Sequence, residues 1–69
     1  MKINKSLEGK RARVITNDEQ IYEGIIEDYI FPEDNEPEGI AAINMHKCLQ
    51  KSGEWIGFNE TDIKSIEII

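Results

Sequence analysis

Polar and apolar residues alternate along most of the chain. Over residues 11–16, Ala12, Val14 and Thr16 fall on one side and Arg11 and Arg13 on the other, with Ile15 the exception. A period of two marks a half-buried strand. Asn17-Asp18-Glu19 then reads as a polar turn, since Asn and Asp tolerate left-handed backbone and bond locally. A second strand is expected over about 20–30. Tyr22, Gly24 and Ile26 share one of its faces, and Ile21, Glu23, Ile25, Glu27 and Tyr29 the other. Its length, with Gly24 inside it, predicts a strand bent at the glycine.

Residues 31–39 form a loop holding both prolines, the acids Glu33, Asp34, Glu36 and Glu38, and a closing Gly39. Further strands are expected over 40–45, 54–58 and 63–69. A polar connection over 46–53, with Lys51-Ser52-Gly53 as its turn, and a tight turn over 59–62 separate them. No segment has a 3.6-residue apolar period, and residues 1–7 allow at most one helical turn. The pattern predicts an all-β chain, residues 1–69 forming one five-stranded small barrel.

Size sharpens the picture. A 69-residue chain buries only about 60% of its unfolded surface, so its core is marginal. Small domains compensate with disulfides, metals or oligomerisation. Cys48 is the only cysteine, and His46 lies two residues before it with no second pair to complete a metal site. Neither a disulfide, a metal nor a cofactor is expected, which favours self-association. Met1-Lys2-Ile3-Asn4-Lys5 has no apolar run after its lysines, and no stretch approaches about 20 apolar residues. With the lone thiol, this predicts a cytoplasmic protein without a membrane segment.

The net charge of −6 is unevenly spread. Residues 1–16 carry Lys2, Lys5, Lys10, Arg11 and Arg13 against Glu8, whereas residues 17–39 carry nine acids and no base. Phosphate contacts supply most of the affinity in nucleic-acid binding, so the acidic middle third argues against simple nucleic-acid recognition.

The chain resembles the Sm-like family of small barrels, which assemble into rings and often bind RNA. The first family motif is matched by Gly24-Ile25-Ile26-Glu27-Asp28-Tyr29, which keeps a glycine, a core aliphatic and an aromatic, with Tyr22 before it and Leu7-Glu8-Gly9-Lys10 and Val14 further upstream. In the second, Phe58, Ile63 and Ile66 keep the three apolar positions. The resemblance spans residues 7–69. It departs where the family's RNA chemistry lies: Ile30 replaces an aspartate, Asp34 sits at the base-binding asparagine with Asn35 one residue later, and Asn59-Glu60 replaces an arginine-glycine pair. An aspartate cannot donate as an amide does, and an anion repels phosphate. The resemblance therefore implies the barrel and the assembly, with weak RNA binding.

Seven residues are candidate contacts for RNA or a protein partner. Tyr29 and Phe31 flank the acidic loop and could stack on a base or a partner side chain. Asn35 and Asn59 lie at or beside motif positions. His46 and Lys47 could meet phosphate, and Lys51 could extend a basic patch begun by Lys10, Arg11 and Arg13. Rim packing, solvation and salt bridges are the plainer readings of the same residues. Nothing in the chain supplies a nucleophile–base pair or a water-excluding pocket, so no enzymatic activity is expected.

The expected function is a non-catalytic Sm-like assembly or interaction module acting through self-association. The alternatives are an RNA-binding ring with a degenerate motif, and an acidic nucleic-acid mimic or inhibitor of a basic partner. Trp55-Ile56-Gly57-Phe58 and Ile66-Glu67-Ile68-Ile69 lack Pro or Lys guards. Unguarded edge strands are templates for pairing with another chain, and in the Sm-like family the equivalent edges join to close a ring.

Overall fold

The computed structural model describes residues 1–46 and 54–69. Five antiparallel strands form one sheet: β1 (Arg11–Thr16), β2 (Ile21–Ile30), β3 (Ala42–His46), β4 (Ile56–Asn59) and β5 (Ile63–Ile68), in the order β4-β3-β2-β1-β5. No α-helix occurs among the described residues, so the fold is all-β as the alternation predicts. The single N-terminal turn is a 3-10 turn, Lys5–Leu7, where the Asn4 side chain accepts from the Ser6 amide at 3.0 Å.

The first strand matches the sequence reading: Ala12, Val14 and Thr16 are buried and Arg11 is exposed. The left-handed residue of the following turn is Glu19, at φ 67°, and not Asn17 or Asp18. Asp18 instead accepts from the Thr16 hydroxyl, and the Glu19 amide donates to the Thr16 carbonyl at 2.9 Å. The third strand starts at Ala42, later than the pattern predicts. The Ile40 carbonyl is held in the loop by the Asn35 side chain at 2.7 Å, a local side-chain bond that competes with the ladder. The fourth strand starts two residues later than expected and ends one residue later, at Asn59; Trp55 lies just before it with its ring stacked on His46.

The irregularity of the second strand is also displaced from its predicted place. Gly24 is buried in regular register opposite Ala12. The register shifts between Ile26 and Asp28, leaving Glu27 as the extra residue of a β-bulge. Bulges bend a strand and increase its twist. A second register shift between Ile15 and Thr16 leaves Lys64 of β5 unpaired.

The sheet is not a closed barrel, which corrects that part of the expectation. Closure needs a ladder between β4 and β5. Instead β4 pairs with β3, β5 pairs with β1, and the two lie at opposite ends of the strand order. Yet only a three-residue 3-10 turn, Glu60–Asp62, joins them. Such a turn rises about 2 Å per residue, too little to cross a flat sheet of five strands about 4.8 Å apart. The sheet is therefore strongly curled, with the end of β4 brought beside the start of β5. Backbone bonds pin that corner from both sides, Glu60 to the Ala41 carbonyl at 2.8 Å and Asn17 to the Asp62 carbonyl at 2.9 Å.

The curl encloses the core. Val14, Ile26, Ile43, Met45 and Ile63 are its largest fully buried side chains. Each contributes roughly 1.5–3 kcal/mol by leaving water. Ile3 is buried against them, and its amide donates to the Glu60 carboxylate at 3.1 Å. Tyr22 and Phe58 meet as a tilted aromatic pair with centroids 5.2 Å apart. On the outer face, Glu23, Arg13 and Glu67 occupy one row across β2, β1 and β5. Arg13 donates to both acids, at 2.7 and 3.0 Å.

Candidate functional site

Four groups of side chains stand out on the surface. The first gathers where β2 runs into the acidic loop. Phe31 leaves the strand and its ring meets the edge of Tyr29, centroids 5.0 Å apart at 85°. The Lys5 ammonium lies 5.8 Å from the Phe31 centroid. Glu8 ties the cluster together: one carboxylate oxygen accepts from Lys5 at 2.9 Å and the other from the Tyr29 amide at 2.8 Å. The Tyr29 amide bond, then Lys5, hold the Glu8 carboxyl below its ordinary range. Tyr29 and Phe31 thus contact each other, while Phe31 stays 41% exposed. The chemistry on offer is a cation and an aromatic edge.

The second group joins two candidates from distant parts of the chain. The Asn35 amide donates to the Asn59 side-chain oxygen at 3.2 Å as well as to the Ile40 carbonyl. Asn35 closes a 3-10 turn, Pro32–Asp34, and Asn59 ends β4. Both amide protons of Asn35 are therefore directed into the protein. Asp34 is exposed beside them.

The third group surrounds His46 at the end of β3. Its Nε2 lies 2.9 Å from a carboxylate oxygen of Glu27, the bulged residue of β2. Its ring stacks on Trp55 at 5.0 Å and 15°. Trp55 is 60% exposed, the most exposed of the large apolar side chains among the described residues. The sequence marked His46 but assigned no contact role to Glu27 or Trp55. The bulge that turns Glu27 toward the imidazole has no signal in the alternation, and the sequence reading placed Trp55 inside the fourth strand.

Of the residues that could form a basic patch, Arg13 takes the plainer reading, a salt bridge. Arg13 is engaged by Glu23 and Glu67, chiefly Glu23, which raises its already high pKa further. Lys47 and Lys51 lie outside the described residues. Arg11 is exposed, and no ion pair to it occurs among the described residues.

The fourth feature is an open hollow of about 280 Å³, lined by Thr16, Asn17, Asp18, Tyr22 and Asp62. None of these residues was a sequence candidate. Asp18 stays ionised to lower pH than an ordinary aspartate, above all because the Thr16 hydroxyl donates to it. The hollow presents two carboxylates, a tyrosine, an asparagine and the Thr16 hydroxyl, which donates to Asp18. Among the described residues no group of three or more His, Cys, Asp or Glu side chains could hold a metal. No helix among them is long and apolar enough to cross a membrane.

The two sheet edges complete the surface. Among the described residues, the outer edges of β4 and β5 pair with no other strand. Trp55 stands at the beginning of the first edge, and Ile68 and Ile69, 52% and 50% exposed, at the end of the second. Comparison with protein-family models, with curated proteins and with solved structures returns no match.

Proposed function

We propose that this chain is a non-catalytic, Sm-like assembly module that acts by self-association through the outer edges of β4 and β5. The observation that carries the proposal is the pair of unpaired edges, each with large apolar side chains at one end. Unpaired strand edges with exposed apolar residues recruit further strands unless they are covered. The curled five-stranded sheet and the short turn before β5 also support the family reading. The module's role would be to build a homo-oligomer that displays its loops in a fixed array. Sedimentation velocity at about 10–100 µM tests it: a species of at least twice the 7.9 kDa chain mass is expected, and Ile68→Lys should shift it toward monomer. A monomer at these concentrations, unchanged by Ile68→Lys, overturns the proposal.

A second reading, an RNA-binding ring with a degenerate motif, draws on the contact between Asn35 and Asn59. These residues stand at or beside the two positions where the family resemblance expects base and phosphate contacts. The Asn35 amide is engaged with the Asn59 oxygen and with backbone, the chain is net negative, and Arg13 is paired with Glu23 and Glu67. Any binding to polyuridine should be weak, fall steeply with salt and show little base preference. Tight, uridine-specific retention at physiological salt would promote this reading over the first.

A further inference from the structure

The bulge in β2 does more than bend the strand. Strict alternation would send Glu27 outward and Asp28 into the core. With Glu27 as the extra residue, Asp28 instead stands opposite Asn44, and both acids are exposed. Bulges re-aim side chains in this way. Asn44 in turn stands opposite Gly57 of β4. Ile43, Met45 and Phe58 point into the core, so Asn44 and Gly57 face outward. Asp28, Asn44 and Gly57 therefore form one row across the outer face of β2, β3 and β4.

That row is low at its β4 end, because Gly57 is exposed and carries no side chain. The rows on either side stand higher. On one side are Trp55 and His46, two residues from Gly57 and Asn44, with their rings stacked at 5.0 Å. On the other is Asn59, whose side-chain oxygen accepts from Asn35 at 3.2 Å. A shallow trough runs over Gly57 between the ring pair and the two asparagines, and it ends at Asp28.

We infer that this trough binds an arginine side chain of a basic protein partner, an interaction separate from self-association. The trough offers two acceptors. One is the Asp28 carboxylate. The other is the Asn44 side-chain oxygen, which leans over the floor, 3.1 Å from where a Cβ on Gly57 would stand. Neither side chain has a bonded partner among the described residues, whereas Glu27 is taken by His46 at 2.9 Å. Adjacent acceptors match the donor fork of a guanidinium, while a lysine ammonium meets them only as a point charge. The aliphatic stem of the arginine packs along the Trp55 and His46 rings, as such stems cover apolar surface. The stack holds the indole in place beforehand, so little freedom is lost on binding. Asp28 and Glu27 repel phosphate, which disfavours nucleic acid on this face. The net charge of −6 draws a basic partner from a distance.

The anisotropy of a labelled oligoarginine peptide measures the interaction, with oligolysine of equal length beside it. Asp28→Asn should weaken binding of oligoarginine by about tenfold, the scale of one bond to a charged group. Glu38→Gln removes the same charge from the exposed loop and should change binding by less than about twofold, since distant surface charges are screened. Gly57→Ala sets a methyl group on the floor against the Asn44 oxygen and should weaken binding as Asp28→Asn does. Oligolysine should bind the parent less tightly than oligoarginine. The emission of Trp55, the only tryptophan, should change as oligoarginine binds. Circular dichroism checks that the variants keep the strand signature, and Asp28→Asn carries the test alone if Gly57→Ala disturbs β4. Equal losses in Asp28→Asn and Glu38→Gln would reduce the effect to general acidity and overturn the inference. Equal affinity for the two peptides, unchanged Trp55 emission or no binding overturns it as well, as does polyuridine that perturbs Trp55 more than oligoarginine. None of these readouts requires an oligomer, so this inference and self-association fail separately.

Discussion

Glu8 looks in sequence like the one acid in a basic leader, yet its carboxylate closes the join between the N-terminal turn and β2. It accepts from the Tyr29 backbone and from Lys5, and its pKa is lowered for that reason. Asp18 is lowered too, first by the Thr16 hydroxyl. A carboxylate whose folded pKa lies below its unfolded value stabilises the protein above the unfolded value, about 4 for these acids. That contribution is lost as pH falls through the folded value, because the unfolded chain then binds the proton more readily. The melting temperature of the parent should therefore fall more steeply below about pH 4 than that of Glu8→Gln, which begins lower and responds less. Parallel acid limbs for the two proteins would remove Glu8 from this role. Ile43 sits at the other extreme, fully buried in β3. Ile43→Ala should cost about 2–5 kcal/mol, the transfer loss plus the cavity, and chemical denaturation measures it directly.

At the scale of the element, β1 and β2 pack a small pair into the core face, Ala12 opposite Gly24, both buried. Gly24→Val adds a branched side chain there and should destabilise by roughly 1–3 kcal/mol, the usual result of overpacking. An unchanged melting temperature would show that the position has room. The strands themselves were legible, because alternation encodes which face is buried and needs only neighbours in sequence. β1 is the clearest case; the turn after it falls where Asn17 and Asp18 predict, although Glu19 is the residue that takes the left-handed backbone. The bulge at Glu27, the late start of β3 and the exposed indole before β4 were not legible. Each depends on a partner from elsewhere: Glu27 on His46, Ile40 on the Asn35 side chain, Trp55 on His46. Of the candidate site, Asn35 and Asn59 were each singled out in sequence, but their contact spans the β2–β3 loop and the end of β4. The register of β3 on β4, which sets Asn59 opposite Ala42 just after that loop, creates it. The open edge between β4 and β5 is likewise a property of strand order, which local alternation does not carry.

For the whole molecule, the marginal core and the free edges meet in one measurable quantity. A chain of 69 residues has little apolar area to bury on its own, and this one leaves Trp55, Ile68 and Ile69 half or more exposed. A monomer that compensated by folding its C-terminal isoleucines onto the end of the sheet would have buried them. If copies cover these side chains instead, association binds the native state and not the unfolded one, so stability rises with protein concentration. Each tenfold increase adds about 1.4 kcal/mol per association step. For a domain of this size 1 kcal/mol moves the melting temperature by about 4–8 °C. The parent should therefore melt several degrees higher after a tenfold concentration increase, with Ile68→Lys nearly insensitive. Ile68 is exposed in the isolated chain, so the lysine should leave the monomer's own melting temperature almost unaltered, and the two curves should converge on dilution. A parent whose melting temperature is independent of concentration over two decades would mean that the edges stay uncovered and the fold stands on its small core alone.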